Sequence, residues 1–322
     1  MYLLLAVFAY FINAGVYVAD KFLLSKKIHS SIAYAFYVGI WSVFNLALLW
    51  FWPWSPNARE LTLDLLAGFL FLVTLVFWYK ALHQSEASRV VPIVGALVPI
   101  FSFILSFVFL GETLNQQQFL AFIILICGGV LISIKQTKLY IYQRVINRIK
   151  EIIGDIIGEV PAGARPTSRL IVNSVAAAVF FASYYVLMKY IYTYQPFVGS
   201  FVYSRLGSFA GVLLMLFVPE WRRLIVEQQQ GAWRRPKNMF YFLTIRLLAA
   251  AAFIMINYAI SLGNVAIVSA LQGVQYLFLF LIILIVSARF PKVLHEQLGG
   301  GVFLQKLIGT VMVCLGLYLF IA

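Results

Sequence analysis

An all-α integral membrane protein, with ten transmembrane helices arranged as two inverted five-helix repeats, is what this sequence predicts from three observations. The first is composition: of 322 residues, 63% are hydrophobic and only 11% charged, with a mean hydropathy of +0.94. A soluble domain of this length needs far more charge on its surface. The second is ten apolar stretches, each close to the roughly 20 residues that span a bilayer as a helix. The third is internal likeness: the layout of residues 79–112 returns at 258–289, so that Tyr79 falls on Tyr258, Ala87 on Ala266 and Phe101 on Phe280. The first helices of the two halves share Tyr17 with Lys21 and Tyr185 with Lys189, four residues apart in each case. In the last helices Gln118, Cys127 and Gly129 align without a gap onto Gln305, Cys314 and Gly316. Five is odd, so the second copy enters the membrane from the opposite side.

Taken in order, the spans fall at 2–24, 31–52, 61–83, 89–110, 118–135, 169–192, 197–218, 239–262, 265–287 and 302–321. The first has no basic head and no small-residue cleavage site after it, and reads as a retained span. Turn-forming residues punctuate the gaps: SKKIHSS at 25–31, PWSPNARE at 53–60, GETLNQQQ at 111–118 and YQP at 194–196. The chain divides into a first repeat at 1–135, a linker at 136–168 and a second repeat at 169–322. Within the linker Ile141, Val145, Ile149, Ile152 and Ile156 recur at helical spacing, while Arg144, Arg148, Glu151 and Asp155 take another face. That pattern predicts an amphipathic helix lying in the membrane interface, followed by a Pro/Gly-rich tether.

Charge sets the orientation and excludes several classes. The formal charge of +13 sits in short connectors between apolar runs, which fits a bilayer with anionic headgroups and not nucleic acid. Connectors after the odd-numbered spans hold nearly all of the Lys and Arg, while those after the even-numbered spans hold little beyond Arg59. The positive-inside rule then places the chain in the cell membrane with both termini outside. Cys127 and Cys314 lie inside apolar runs, so neither a disulfide nor a metal site is expected. His29, His83 and His295 fall in connectors, and Gly299 to Gly301 lack the lysine and strand of a phosphate loop. No catalytic residue, metal or cofactor is expected. A homodimer is compatible with the sequence.

Candidate binding residues are polar groups that share a helix face, because facing lipid is costly. On the eighth span Arg246, Ala250, Phe253, Asn257 and Ser261 share one face; on the ninth Ser269, Gln272, Gln275 and Tyr276 do likewise. Asn257, Gln272 and Gln275 read equally as hydrogen-bonding glue between helices or as contacts to a small-molecule substrate. Trp78 and Tyr258 add an aromatic wall, while Tyr79 fits either that wall or the interfacial belt. Lys21 and Lys189 either snorkel to headgroups or, each with its tyrosine one turn earlier (Tyr17 and Tyr185), form alternate gates that contact an anionic group. Arg205 lies too deep in its span to snorkel and faces the bundle, toward a helix-end carbonyl, an acid or the substrate. Glu112 reads as a clasp at the end of the fourth span, and Asp20 as the acid closest to a candidate cavity.

The layout and several motifs resemble the EamA-type branch of the drug/metabolite transporter superfamily. They are Tyr79-x-Ala81-Leu82 followed by Ser85-x-Ala87-Ser88, Pro92 and Pro99 in the fourth span, Gly111-Glu112-Thr113, and Arg205 near the start of a repeat's second helix. The resemblance implies a secondary transporter that exports a small metabolite, such as an amino acid, by alternating access. It also implies cytoplasmic termini, against the charge bias. The first repeat has no arginine matching Arg205, and the second puts Phe290-Pro291 where the first has Gly-Glu. The superfamily's four-helix drug exporters carry a glutamate in their first helix, where this chain has Asn13 and Asp20. Two other classes stay open: a polytopic enzyme acting on lipid carriers, and a non-transporting membrane partner subunit.

Overall fold

The computed structural model describes residues 1–26, 30–84, 87–133, 168–230, 236–289 and 300–321. These form twelve α-helices and one 3-10 segment. In chain order they are α1 (Tyr2–Lys26), α2 (Ser31–Ile40), a 3-10 continuation (Trp41–Trp50), α3 (Ala58–Gln84), α4 (Ala87–Leu110) and α5 (Gln116–Ser133). There follow α6 (Ser168–Tyr192), α7 (Phe197–Met215), α8 (Pro219–Gln230), α9 (Pro236–Leu262), α10 (Val265–Ala270), α11 (Gln272–Arg289) and α12 (Gly300–Ile321). The interfacial helix expected at 136–168 lies, Ser168 apart, outside the described residues, as does the side chain of Lys21.

Every apolar stretch becomes a helix, and among the described residues eight of them are long and apolar enough to cross a membrane. The other two, Gln116–Ile132 and Leu304–Phe320, are shorter. Those two pack on each other through small residues: a Cβ on Gly128 would stand 2.9 Å from Gly309 O, and one on Gly309 2.8 Å from Gly128 O. Backbones this close gain contact where apolar side chains alone would not favour association in lipid.

Helix starts follow local chemistry. Asn57 and Glu60 cap each other at the head of α3, and Asn115 and Gln118 do the same for α5. Ser30 caps α2, and Asn264 accepts from the N–H groups of Ala266 and Ile267 at the start of α10. Gly111 ends α4 at φ 67°, where a side chain would be strained, and lets Glu112 N–H reach back to Ser106 O.

Two spans are not continuous α-helices as the sequence suggests. The second passes from α to 3-10 geometry at Trp41, where Ser42 Oγ donates to Gly39 O and to Arg205 O and Asn45 donates to Ser42 O. The ninth breaks at Leu271, one residue before Gln272, and Val268 O there accepts from the Tyr10 hydroxyl. Helix α8 is an addition within a connector: Pro219 starts it, and Trp221, Leu224 and Ile225 turn inward at helical spacing while Arg222 and Arg223 stay exposed.

Contacts between the halves run in matching pairs. Helix α1 packs on α9 and α6 on α3; α4 packs on α6, and α11 on α1. The match stops at the second helices. Helix α7 fits closely to α3, where a Cβ on Gly68 would lie 1.7 Å from Ser204 O, whereas α9 turns Phe240, Leu247 and Leu248 outward.

Candidate functional site

One face of α9 supplies the frame. Arg246, Phe253 and Asn257 recur at helical spacing and all turn into the bundle, so residues up to about 16 Å apart along the axis share one interior. Arg246 lies near the end where α2 begins and α3 stops; Asn257 lies toward the other.

Around Arg246 the two halves are joined by a buried ion pair. Its Nη2 donates to Asp20 Oδ1 of α1, and its Nη1 donates to the Tyr79 hydroxyl of α3 at 3.1 Å. Tyr34 of α2 donates to Asp20 Oδ1 at 2.7 Å, and Tyr79 to Asp20 Oδ2 at 3.5 Å. The two tyrosine rings meet edge to face at 4.6 Å. A lone carboxylate is costly in an apolar bundle, and this one is answered by a cation and two hydroxyls. Tyr79 is thus buried in the cluster and not part of the interfacial belt.

Arg205 of α7 has different company. Its guanidinium lies over the rings of Phe71 (4.2 Å), Phe253 (4.9 Å), Phe201 (5.2 Å) and Tyr184 (5.4 Å). Nη2 donates to the Tyr184 hydroxyl at 2.9 Å, while Nε is buried with no hydrogen-bond partner. Among the described residues no carboxylate lies within ion-pair reach of it. Tyr184 in turn donates to Asn257 Oδ1 at 3.0 Å, as Tyr192 does at 3.3 Å, and Asn257 Nδ2 donates to Phe253 O. Neither the helix-end carbonyl nor the acid that the sequence allows as a partner is what Arg205 meets.

A chain of rings connects the clusters: Tyr17 on Trp78 at 4.9 Å, Trp78 toward Phe181 at 6.2 Å, Phe181 on Tyr185 at 5.9 Å, and Tyr185 against Tyr184 at 5.5 Å. Tyr17, Phe71, Phe181 and Phe253 keep part of their surface open even though each meets rings from other helices.

The structure separates the two glutamines of the ninth span. Gln275 turns toward the Tyr17 hydroxyl of α1 and is fully buried. Gln272 and Tyr276 turn instead onto Gly95 of α4, where a Cβ would meet Tyr276 Oη at 1.4 Å and Gln272 Cδ at 2.9 Å. Tyr258 is displaced outward as well: adjacent positions on a helix differ by about 100°, so it leaves Asn257 inside and sits 38% exposed against Phe197. Lys189 points at the end of α9, donating to Gly263 O at 2.8 Å, Ile260 O at 3.1 Å and Ser261 O at 3.3 Å. A cation on orphan helix-end carbonyls is a C-terminal cap, which occupies the group read from the sequence as a gate. Beside it, Glu112 accepts from Val265 N–H at 3.1 Å and clasps α4 to α10. Partial burial pushes the Glu112 carboxyl above its ordinary value, and the Val265 N–H and Lys189 oppose the shift.

Comparison with known proteins accords with this arrangement. Residues 1–134 match the model of the EamA-like transporter family. An uncharacterized protein of Methanocaldococcus jannaschii is 34% identical over 78 residues, which is 24% of this chain and 56% of that protein's length. A solved structure titled only "Crystal structure of protein" superposes with a TM-score of 0.58 at 14% identity, covering 99% of this chain and 94% of its own. That likeness concerns the fold alone.

Several residues of the bundle interior escaped the sequence reading. Tyr34 and Tyr184 sit in apolar runs where a tyrosine looks like any core aromatic. Phe71 carries no polar signal. Asp64 is a second fully buried acid, in α3 beside Gln195, whose amide, turned to present its nitrogen, would donate to both carboxylate oxygens at 3.1 and 3.2 Å. An aspartate at the fourth position of the apolar run 61–83 was the available signal.

Proposed function

We propose that this chain is a multi-pass secondary transporter that moves a small metabolite, an amino acid or related compound, by alternating access. On this reading two five-helix repeats, residues 1–135 and 169–322, rock against each other around a central site. The observation that carries it is the reciprocal packing of the halves, α1 on α9 and α6 on α3, with the partly open rings of Tyr17, Phe71, Phe181 and Phe253 between them. Rings turned inward yet still accessible are what an occupiable interior requires. The Asp20–Arg246 pair, which joins α1 to α9, is then the closure at one end, and Glu112 on Val265 the closure at the other. Gln275 lines the site, with Tyr17, Trp78, Tyr185 and Asn257 around it, whereas Gln272 and Tyr276 support it through α4. The Lys/Arg bias of the connectors after the odd-numbered spans supports a cytoplasmic position for the Asp20–Arg246 end and termini outside the cell, and the resemblance to EamA-type transporters supports movement outward.

Counterflow of pooled labelled metabolites into liposomes tests the reading. Protein-dependent uptake is expected, lowered several-fold in Gln275→Leu and little changed in Tyr258→Phe. Equal uptake by empty and protein-containing liposomes across a broad pool, with the protein folded, sinks transport. A C-terminal tag reached by antibody on intact cells is the expected result for orientation; protection of that tag reverses it.

A further inference from the structure

We propose that the Arg205 cage is the anion subsite of the transported molecule, and that this molecule is a small monocarboxylate with an apolar or aromatic body. The proposal rests on the transport reading for the word "transported", but the subsite is argued from its own geometry.

A guanidinium in an apolar bundle normally meets a carboxylate, because an unanswered charge there is costly. Arg246 obeys this rule with Asp20. Arg205 does not: it is 4% exposed, among the described residues its one hydrogen bond runs from Nη2 to Tyr184, and its Nε has none. Phe71, Phe253, Phe201 and Tyr184 surround the cation with π faces, which stabilise positive charge without neutralising it. What the rings leave unanswered is the in-plane donor edge, and a planar carboxylate meets that edge through parallel N–H···O bonds.

Charge count narrows the anion. Lys189, on the neighbouring α6, is engaged with three carbonyls at the end of α9. With one cation in the cage, a single negative charge is matched, whereas a phosphate dianion would call for a second. The same rings that hold the guanidinium offer the ligand's body an apolar wall, since Phe71 and Phe253 keep part of their surface open. Across the interior, Gln275 is fully buried and turns to the Tyr17 hydroxyl. Its amide can exchange that contact for a polar group at the far end of the ligand.

Binding to the purified full chain in nanodiscs, measured by calorimetry with 3-phenylpropionate and its amide 3-phenylpropanamide, tests the proposal without requiring flux. The acid is expected to bind at least tenfold more tightly than the amide. In Arg205→Gln that preference should vanish, in Arg205→Lys it should return only in part, and inorganic phosphate should compete poorly with the acid. Equal affinity of acid and amide in the wild type overturns the proposal, as does failure of both probes to bind at millimolar concentration. Phosphate displacing the acid at lower concentration overturns it in favour of a phosphate site. The wild-type comparison stands even if Arg205→Gln does not fold. Acid preference without flux in liposomes would leave the subsite and sink the transport reading; flux with no acid preference would do the reverse.

Discussion

Arg246 and Arg205 come from the same half of the chain, both are turned into the bundle, and both meet tyrosine hydroxyls, yet among the described residues only Arg246 has an acid. The difference separates two uses of a buried cation. Where the charge is cancelled within the protein, as at Asp20, it serves as a joint between helices. Where rings shelter it and nothing cancels it, the protein retains an unfilled electrostatic demand, which is what a binding site needs.

Breaking the Arg246 joint should produce the largest change. Asp20→Ala leaves a buried guanidinium without its carboxylate and is expected to cost about 3–5 kcal/mol of stability, read from denaturant unfolding in detergent. Arg246→Leu should cost a similar amount, and the double variant less than the sum, because neither partner is then left alone. A double variant as damaged as the sum would show that the two residues do not act as a pair. Against this, Arg205→Leu removes a cation that orphans no acid, so its stability should stay within about 1 kcal/mol of wild type while acid binding is lost. A loss as large as that of Arg246→Leu would erase the contrast between the two arginines.

Smaller is the effect expected of Tyr184→Phe. It removes the hydroxyl that links Arg205 to Asn257 and should cost about 1 kcal/mol, with a weaker acid preference but an intact Asp20–Arg246 joint. Unchanged binding of the acid would detach Tyr184 from the cage.

Smallest is a pH effect at the opposite closure. The Glu112 carboxyl is raised above its ordinary value by burial, so the folded protein holds a proton there that the unfolded chain has released. Stability contributed by this group is therefore present below the ordinary carboxylate value and declines as pH rises through the raised one. Glu112→Gln should flatten that part of the profile of melting temperature against pH. An unaltered slope would assign it to another acid.

Much of the scaffold could be read directly from residue order. Apolar length and the turn residues between runs placed every long helix, and the capping residues Asn57, Asn115 and Asn264 stand at the starts the structure shows. The inward face of α9 was legible too, because Arg246, Phe253 and Asn257 recur at helical spacing. Legibility ended where two helices must meet. Gln272 and Gln275 sit one turn apart with the same chemistry, and only the position of Gly95 on α4 and Tyr17 on α1 divides them. Tyr79 and Tyr258 align in the sequence comparison of 79–112 with 258–289, yet one bonds Asp20 inside and the other lies outside against Phe197. The break at Leu271 is likewise invisible in a run of apolar residues.

The sequence by itself determined that this chain lives in a membrane and which residues are too polar to face lipid, because hydrocarbon penalises unsatisfied groups whatever their neighbours. Tertiary structure alone decided which polar groups cancel each other. Cancellation needs contact within a few ångströms between residues as distant in sequence as Asp20 and Arg246. Among the described residues Arg205 has no such partner, and what distinguishes the two arginines is packing that no local pattern encodes.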